Sequence, residues 1–477
     1  MERQASSEPR VGGTPGKAFS RSRFELLWEA VRRAFLEFLT IPTLVILGFL
    51  ALGVLAYYLD KLRIEQDWPS FVPGTHESVS TLLGTIAGSI ITVTSITFSL
   101  LLIAVQQGAA ALTGQVYDQF LRRRSNQAYF GFFIGLALYC LIILATVRPD
   151  YTPVIGAAVA FGLTVIALYL LIILIYSTID QMRPVMIIDA IRDHALNARK
   201  LQRPLLEATS TATTVEGQAS VGVAANESGF LTRVDAGALR SAAGKLGAAA
   251  VLIAPSVGDY VSRGEQLCEV RFAGAAGASG EQAAEALLAC FALQRQRDLG
   301  SDAAFGINQL SIIGWTSVST SKSNPQPGLL ACWALRDLAA HWFGYGASPA
   351  ERSSDELAIV YTDNVPNELL AAFESLAVVA SESLQHQTLA EIYSALAFTL
   401  PELPPPLRAE VANIVLRSLS ALGEHVLTGR LEKAIDGLAA ALDSAGQSDA
   451  AVALRNARDR LKQSVGTLHS RANRGGK

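Results

Sequence analysis

Two stretches of the sequence concentrate side chains that could bind or transform a ligand. RQRDLGSDAAFGINQL carries an Arg and an Asp shortly before an amphipathic run, and TSVSTSKSNPQPG gathers hydroxyls, a lysine and an amide before Pro325. Such groups near the start of a helix can bind an anion, because free amide N–H groups and the helix dipole favour negative charge there. The competing interpretation, which we favour, is an elaborate N-cap with a Pro-led turn beside a structural Arg–Asp pair. The candidate residues for a small anionic ligand or a cytosolic protein partner are Arg297, Asp302, Ser319, Ser321, Lys322 and Asn324.

The rest of the sequence lacks the motifs of common enzyme classes. GALRSAAGK, at residues 237–245, has the wrong glycine spacing for a phosphate loop, and Leu246 stands where Ser or Thr would follow the lysine. There is no GxSxG motif, dinucleotide fingerprint, CxxC pair or HExxH pattern. The net charge of −3 and the lack of a long basic run argue against a nucleic-acid partner. We therefore predict that the chain is not an enzyme and that it holds no metal or cofactor.

Four long stretches without any charged residue or histidine precede residue 182. Each exceeds the roughly 18 apolar residues that mark a membrane-spanning helix, so the sequence predicts a polytopic membrane protein. The predicted spans occupy residues 41–59, 80–107, 128–147 and 153–179. A loop at about residues 60–78 joins the first two spans, and a tight turn at residues 148–152 joins the last two.

Lys and Arg are distributed unevenly around these spans. Fifteen lie before the first span, between the second and third, or after the fourth as far as Arg203, and three lie in the two alternate loops. Because basic residues are retained on the cytoplasmic side, we predict that both termini are cytoplasmic in the bacterial inner membrane. Residues 1–23 are predicted to be a disordered basic tail, and residues 24–182 an amphipathic interfacial helix followed by the four spans.

The second span is unusual for a helix in lipid, because nine of its 28 residues are Ser or Thr. At helical spacing, one stripe contains Ser80, Gly84, Gly88, Thr92, Ser95, Ser99 and Gln106. Its two glycines form a GxxxG pair, which allows two helix backbones to approach closely. The stripe is interpreted either as a helix-packing seam, which we favour, or as the lining of a water-filled path. The two interpretations are compatible if identical α-helices from several copies of the chain surround one axis. No ionisable side chain lies in the predicted spans, so a proton relay is not expected.

After the fourth span the sequence becomes soluble in character. Residues 183–228 are predicted to form a helix and a linker, and residues 229–273 a β-rich module. GDYVSRGEQL in this module resembles the GDxVxxGxxL pattern of biotinyl/lipoyl-like domains, but the lysine that carries their cofactor has no counterpart. Residues 281–477 are predicted to be mainly helical, apart from a strand at residues 357–361. The predicted fold class is a four-span α-helical membrane protein with a cytosolic α+β domain, which contains a small barrel-sandwich-like module and a helical C-terminal region.

Several segments together resemble one bacterial family. They are TIAGSIITVTSITFSLLLIAVQQ, the RRRSNQ turn with the span after it, GFLTRVDAGAL, GDYVSRGEQL and RQRDLGSDAAFGINQL. Over about residues 25–400 the chain resembles the predicted membrane proteins called domain of unknown function 2254. The resemblance implies architecture and membrane location, and almost no biochemistry. Many members carry Ala-Leu-Ser-Pro-x-x-Asn-Asp-Pro, whereas this chain keeps Asn324 and Pro325 without the Asp between them, so no metal or base role is carried over.

Two classes of function remain open from the sequence. The first, which we prefer, is an oligomeric channel or transport-like protein whose second span faces a shared axis and whose cytosolic domain gates it. The second is a membrane-anchored scaffold or signalling/regulatory protein whose spans only pack together. The predicted partners in the first case are the lipid bilayer and further copies of the same chain.

Overall fold

The computed structural model describes residues 39–66, 75–111, 123–181, 183–211, 219–274, 279–319, 324–343, 357–423 and 425–464. The predicted basic tail, the predicted interfacial helix at residues 24–38 and the candidate residues Ser321 and Lys322 lie outside these ranges. Contacts divide the chain into two compact units, Met1–Val105 with Tyr117–Thr178, and Gln106–Val116 with Ile179–Lys477. The first unit contains the apolar helices, and the second contains the sheets.

Four helices in the described residues are long and apolar enough to cross a membrane, which confirms the four predicted spans. They are α1 (Thr40–Glu65), α2 (His76–Ala111), α3 (Arg124–Thr146) and α4 (Val154–Gln181). The predicted outer loop is wrong at its start, because α1 continues to Glu65 and Asp60 is therefore helical. Helix α2 runs through Gly108, and its 36 residues extend over about 54 Å. Paired backbone hydrogen bonds between Arg148 and Tyr151 close the predicted tight turn between α3 and α4.

Glycines in α3 allow it to approach α1 closely. A Cβ at Gly131 would lie 2.8 Å from Pro42 Cα, and a Cβ at Gly135 would lie 2.5 Å from the ring of Phe49. Small residues at a helix interface are typical of membrane proteins, where close packing replaces the hydrophobic driving force. The first and third predicted spans therefore form the tightly packed pair of the first unit.

The second unit begins with an amphipathic helix and continues into two small sheets. Pro184 starts α5 (Pro184–Ala208), as its fixed backbone angle suits the first helical position, and Ile187, Ile188 and Ile191 are buried along one side. The strands are β1 (Ala219–Ala224), β2 (Gly229–Val234), β3 (Ala250–Ile253), β4 (Tyr260–Val261), β5 (Gln266–Phe272), β6 (Phe291–Gln294) and β7 (Ala358–Val360). They pair in the orders β1-β5-β3-β7 and β4-β2-β6.

All strand pairs are antiparallel except β3 with β7. Side chains of both sheets share one hydrophobic core, which includes Val223, Leu231, Val251 and Val270. The sheets use strands before and after residues 229–273, so the β-rich part of the chain is larger than the predicted module. Two helices lie between strands, α6 (Ala236–Lys245) and α7 (Gly280–Leu287).

The remaining described elements are helices, in agreement with the predicted C-terminal helical region. They are α8 (Ala303–Ser319), α9 (Gln326–Phe343), α10 (Val365–Glu382), α11 (His386–Thr399), α12 (Pro405–Leu422), α13 (Gly429–Ser444) and α14 (Ser448–Ser464). Helix α8 is central, because most of its length is buried against α5, α9 and α10.

Candidate functional site

The seven-residue stripe of α2, here called the hydroxyl face, lies on the side of α2 away from the other described helices of the first unit. At 100° per residue it lies opposite the buried side of α2, which includes Leu83, Ile90 and Leu101. A Cβ added at Gly84 or Gly88 would meet no atom within 4 Å. Gly88, Thr92, Ser95, Ser99 and Gln106 are exposed, and Ser80 and Gly84 are half-buried. Among the described residues, the hydroxyl face is therefore not a seam with another helix of the same chain.

Hydroxyls on this face satisfy their own protons within α2. Thr92 Oγ1 donates to the carbonyl oxygen of Gly88 at 2.8 Å, and Ser99 Oγ donates to that of Ser95 at 3.0 Å. Because the proton is directed at the helix backbone, the oxygen lone pairs remain available to an outside donor or cation. The hydroxyl face thus offers acceptors without charge.

A second part of α2 opens into a mainly apolar cavity inside the first unit. Its volume is about 160 Å³ and it lies between α2, α3 and α4. Thr85, Ser89 and Thr164 are among the residues that line it, and the others are Ile86, Ile90, Val93, Phe133, Ala167, Leu168 and Leu171. Thr85 and Ser89, which lie next to the hydroxyl face at helical spacing, therefore border an apolar space.

Sequence reasoning missed a buried carboxylate near the end of α1. Asp60 is fully buried, and its two oxygens accept the backbone N–H groups of Ile155 and Gly156 at 2.9 and 2.8 Å. Arg63 Nε lies 3.8 Å from the carboxylate, and Tyr139 donates its hydroxyl to the carbonyl oxygen of Gly156 at 3.0 Å. Asp60 therefore caps the N-terminus of α4 from a different helix, where free N–H groups attract negative charge. In the sequence, the only indication of this role is that Asp60 directly follows the charge-free residues 41–59.

Replacing Asp60 with leucine is expected to destabilise the first unit by about 2–4 kcal/mol, because two buried N–H groups lose their acceptor. Asp60→Asn keeps one oxygen acceptor and should lose about half as much. Asp150→Leu is the matched control, because Asp150 is an exposed carboxylate in the nearby turn. Thermal unfolding in a mild detergent, followed through the reactivity of the buried Cys140 thiol, measures the three losses. Equal melting temperatures for the two leucine variants would contradict the capping role.

The predicted Arg297–Asp302 pair is formed in the second unit and lies against the turn between β3 and β4. Arg297 Nε donates to Asp302 Oδ2 at 2.7 Å, and the N–H of Phe305 donates to Asp302 Oδ1 at 3.0 Å, so this buried carboxylate caps α8. Gly258 has a φ of +104°, and a Cβ there would lie 2.7 Å from Arg297 Nη2 and 2.8 Å from Asp302 Oδ2. The glycine of GDYVSRGEQL and the acid of RQRDLGSDAAFGINQL thus form one structural contact.

The hydroxyl-rich segment after α8 also acts as a helix cap where it is described. Ser317 Oγ donates to the carbonyl oxygen of Asn324 at 2.6 Å and accepts the N–H of Gly328 at 3.2 Å. Asn324 Oδ1 accepts the N–H of Gln326 at 3.1 Å, at the start of α9, and Ser319 Oγ donates to the carbonyl oxygen of Thr316 at 3.3 Å. These bonds agree with the N-cap interpretation.

The two predicted clusters of the second unit are not brought together. Asp302 lies at the N-terminus of α8 and Ser319 at its C-terminus, and the helix has 17 residues, or about 25 Å. Among the residues that the structure describes, no group of three or more His, Cys, Asp or Glu side chains could hold a metal ion. The candidate residues that the structure describes are therefore spread over both ends of α8.

These features of geometry and sequence occur in a chain that matches a known family. A family model described as a predicted membrane protein, DUF2254, matches residues 36–389. The chain belongs to the DUF2254 family. The match covers the four apolar helices, both sheets and the helices up to the start of α11, which makes this a membrane protein of the DUF2254 type. The chain has no match among curated proteins or solved structures.

A pair of histidines, one half-buried and one buried, lies across the C-terminal limit of the DUF2254 match. His386, at the start of α11, is inside the matched range, and His425, between α12 and α13, is beyond it. Their Nδ1 atoms are 2.8 Å apart, so one ring donates to the other. His425 Nε2 is buried without a partner among the described residues. The pair is best satisfied when His425 carries its proton on Nδ1, because Nε2 then presents a lone pair and not an unsatisfied N–H.

Acid is expected to weaken the second unit through this pair. Burial, and then the neighbouring His386, lower the pKa of His425 to about 4. The unfolded chain therefore takes up a proton below about pH 6.5 while the folded chain does not, and up to about 3 kcal/mol of stability is lost between about pH 6.5 and pH 4. Chemical unfolding measures the free energy of unfolding at pH 7.5 and pH 5. The decrease between the two pH values should be smaller in His425→Gln than in the original chain. The exposed His194→Gln is the control, and an unchanged pH dependence in His425→Gln would contradict the assignment.

Proposed function

We propose that this DUF2254 protein forms a homo-oligomer in the bacterial inner membrane, in which the hydroxyl faces of α2 surround a shared path for water and small ions. Both termini are placed in the cytoplasm, and the second unit is a cytosolic domain that regulates the path. The excess of Lys and Arg beside alternate ends of the spans supports this orientation. We assign no chemical reaction to the protein.

The open hydroxyl face carries the proposal. From Ser80 to Ser99 it extends over about 29 Å, close to the roughly 30 Å thickness of a bilayer's hydrocarbon core. Lipid chains offer neither hydrogen-bond donors nor close packing to a surface of glycines and hydroxyls, whereas another helix with the same face offers both. A second copy of α2 is thus a better partner for this face than lipid.

The chemistry of the face favours weak, non-ionic contacts with a permeating species. Neutral oxygens can replace part of the water shell of a cation or relay hydrogen bonds to water. With no charged side chain along this stretch, binding is weak enough to permit release. The proposed path therefore suits water and small monovalent ions better than large or strongly charged solutes.

Single-channel recording on the reconstituted protein tests the proposed activity. Ser95→Leu is expected to reduce unitary conductance by at least ten-fold, because an isobutyl group replaces an acceptor at the axis. Ser95→Thr keeps the hydroxyl and should conduct nearly as well as the original chain. Leu100→Ile, at an exposed position on another side of α2, is the control for helix substitution.

A silent protein, or equal conductance in Ser95→Leu and Ser95→Thr, would contradict the proposed path. That outcome would leave the other interpretation, a membrane-anchored scaffold or signalling/regulatory protein without transport activity.

A further inference from the structure

We infer that the C-terminal end of α8 contacts the bilayer surface, with Trp315 and Ile312 inserted at the boundary between lipid headgroups and acyl chains. Both side chains are exposed on the second unit, and they lie one turn apart on one side of α8. The inference concerns a lipid-binding surface of this unit and does not depend on transport through the oligomer.

Contacts within the second unit fix the direction of α8 relative to α5. Gln202 Nε2, near the end of α5, donates to the carbonyl oxygen of Ser301 at 3.1 Å, just before α8 begins. One turn into α8, a Cβ at Gly306 would lie 2.7 Å from Ala195 Cβ and 3.6 Å from the carbonyl oxygen of Ile191. Ser301 is thus beside Gln202, and the later residue Gly306 is beside the earlier residue Ala195. The two helices are therefore antiparallel.

Helix α9 gives an independent check on this arrangement. Arg192 lies 3.7 Å from Asp337, and the guanidinium of Arg199 lies 5.9 Å from the ring centre of Trp342. Helix α9 thus runs parallel to α5, which places its first residues beside the start of α5. The Ser317–Asn324 hydrogen bond joins the end of α8 to that same start of α9. Both neighbours of α5 therefore place the end of α8 near Pro184.

The position of Trp315 along α5 follows from helix geometry. Trp315 is nine residues beyond Gly306, or about 14 Å along α8, which brings it level with Pro184. Pro184 is three residues after Gln181, the last residue of α4, and three residues reach at most about 10 Å. The chain therefore holds the start of α5 within about 10 Å of the end of α4, and Trp315, level with Pro184, belongs to the same end of the second unit.

The side chains at this end of the unit suit that interface. Trp315 is 51% exposed, and Val185 and Met186 in the first turn of α5 are 44% and 42% exposed. Tryptophan is enriched at membrane interfaces, because its ring is apolar and its N–H seeks a polar partner. Arg183, also exposed, lies 3.4 Å from Asp180, so the junction carries an ion pair that suits the polar headgroup region. The continuity of this surface with the end of α4 identifies the bilayer as its occupant.

Fluorescence quenching by spin-labelled lipids tests the inference on the full chain in phospholipid vesicles. A single cysteine is introduced at Trp315 or Ile312 and labelled with an environment-sensitive dye. The four native cysteines are buried and do not compete. Val452→Cys is the matched control, because Val452 is also 51% exposed. It lies in the first half of α14, whose Arg455 pairs with Asp443 near the end of α13.

Dyes at residues 315 and 312 are expected to be quenched at least three-fold more strongly than the dye at residue 452 by headgroup-labelled lipid. A water-soluble quencher should quench the dye at residue 452 more strongly than the dyes at residues 315 and 312. Quenching no stronger than at residue 452 would overturn the inference and would indicate that another protein segment or water covers this end of α8. If Trp315→Cys does not fold, Ile312→Cys gives the same comparison.

Discussion

Replacement of Gly88 by leucine is expected to weaken association of the protein at least ten-fold. In the single chain nothing lies within 4 Å of a Cβ at this position, so the larger side chain fits without disturbing the fold of the chain. Between two copies of α2, however, leucine would hold the backbones apart and remove the close contact that GxxxG permits. The oligomer's mass in nanodiscs, measured by native mass spectrometry across a range of protein-to-lipid ratios, gives the change in association.

Gly162→Leu is the matched control for this substitution. Gly162 is exposed on α4 and also has nothing within 4 Å of an added Cβ, so the two variants change volume and hydrophobicity equally. The expected result is an unchanged oligomer for Gly162→Leu and predominantly monomer for Gly88→Leu. Identical masses for both variants would show that the hydroxyl face is not the contact between copies.

Gly258→Ala is expected to destabilise the second unit by about 3 kcal/mol or more. The backbone at Gly258 has a φ of +104°, which L-residues rarely adopt, and the new methyl group would displace the ends of both Arg297 and Asp302. Asp302 cannot move freely, because it is buried and also accepts the N–H of Phe305. Disturbing a buried, hydrogen-bonded ion pair adds to the backbone strain. Thermal unfolding in detergent or nanodiscs measures the loss.

Gly264→Ala is the control that distinguishes backbone strain at a glycine from the contact of a new methyl group with Arg297 and Asp302. Gly264 also has a left-handed φ, of +89°, but no atom lies within 4 Å of an added Cβ. Gly264→Ala should therefore lower the stability of the second unit only through backbone strain, by about 1–2 kcal/mol. A loss at Gly258 no larger than at Gly264 would contradict the role of the turn in holding the Arg297–Asp302 pair.

The sequence predicted the membrane helices well, because a run of charge-free apolar residues is itself the physical requirement for crossing a bilayer. It failed at helix ends. Asp60 looked like the first residue of a loop, but a fold in which α1 delivers it to the N-terminus of α4 makes it a buried cap. Such a partnership joins residues almost a hundred positions apart and leaves no local pattern.

The sheets show the same limit. Turn residues such as Gly258 and Gly264 predicted short strands, and β7 was expected as a strand at residues 357–361. The pairing of β3 with β7 and of β2 with β6 depends on long-range register, which alternation of side chains alone does not define. The β-rich part was therefore predicted too short.

For the candidate site, helical spacing placed the hydroxyl face correctly on one side of α2 but left open what it contacts. The exposed surface around Gly84 and Gly88 excludes the other helices of the same chain among the described residues. The Arg297–Asp302 pair and Asn324 each form hydrogen bonds at a helix end, and the length of α8 separates them. Spacing along the chain identifies a face, whereas the neighbour of that face depends on tertiary and quaternary packing.

Cysteine cross-linking of α2 in native membranes tests the central claim most directly. Ser95→Cys lies on the hydroxyl face, and Leu100→Cys is an exposed control about 140° away around the helix. With the native cysteines buried, a short bifunctional thiol reagent should link copies of Ser95→Cys and leave Leu100→Cys monomeric. Efficient cross-linking at Leu100 with none at Ser95, or none at either position, would contradict an oligomer built around the hydroxyl face.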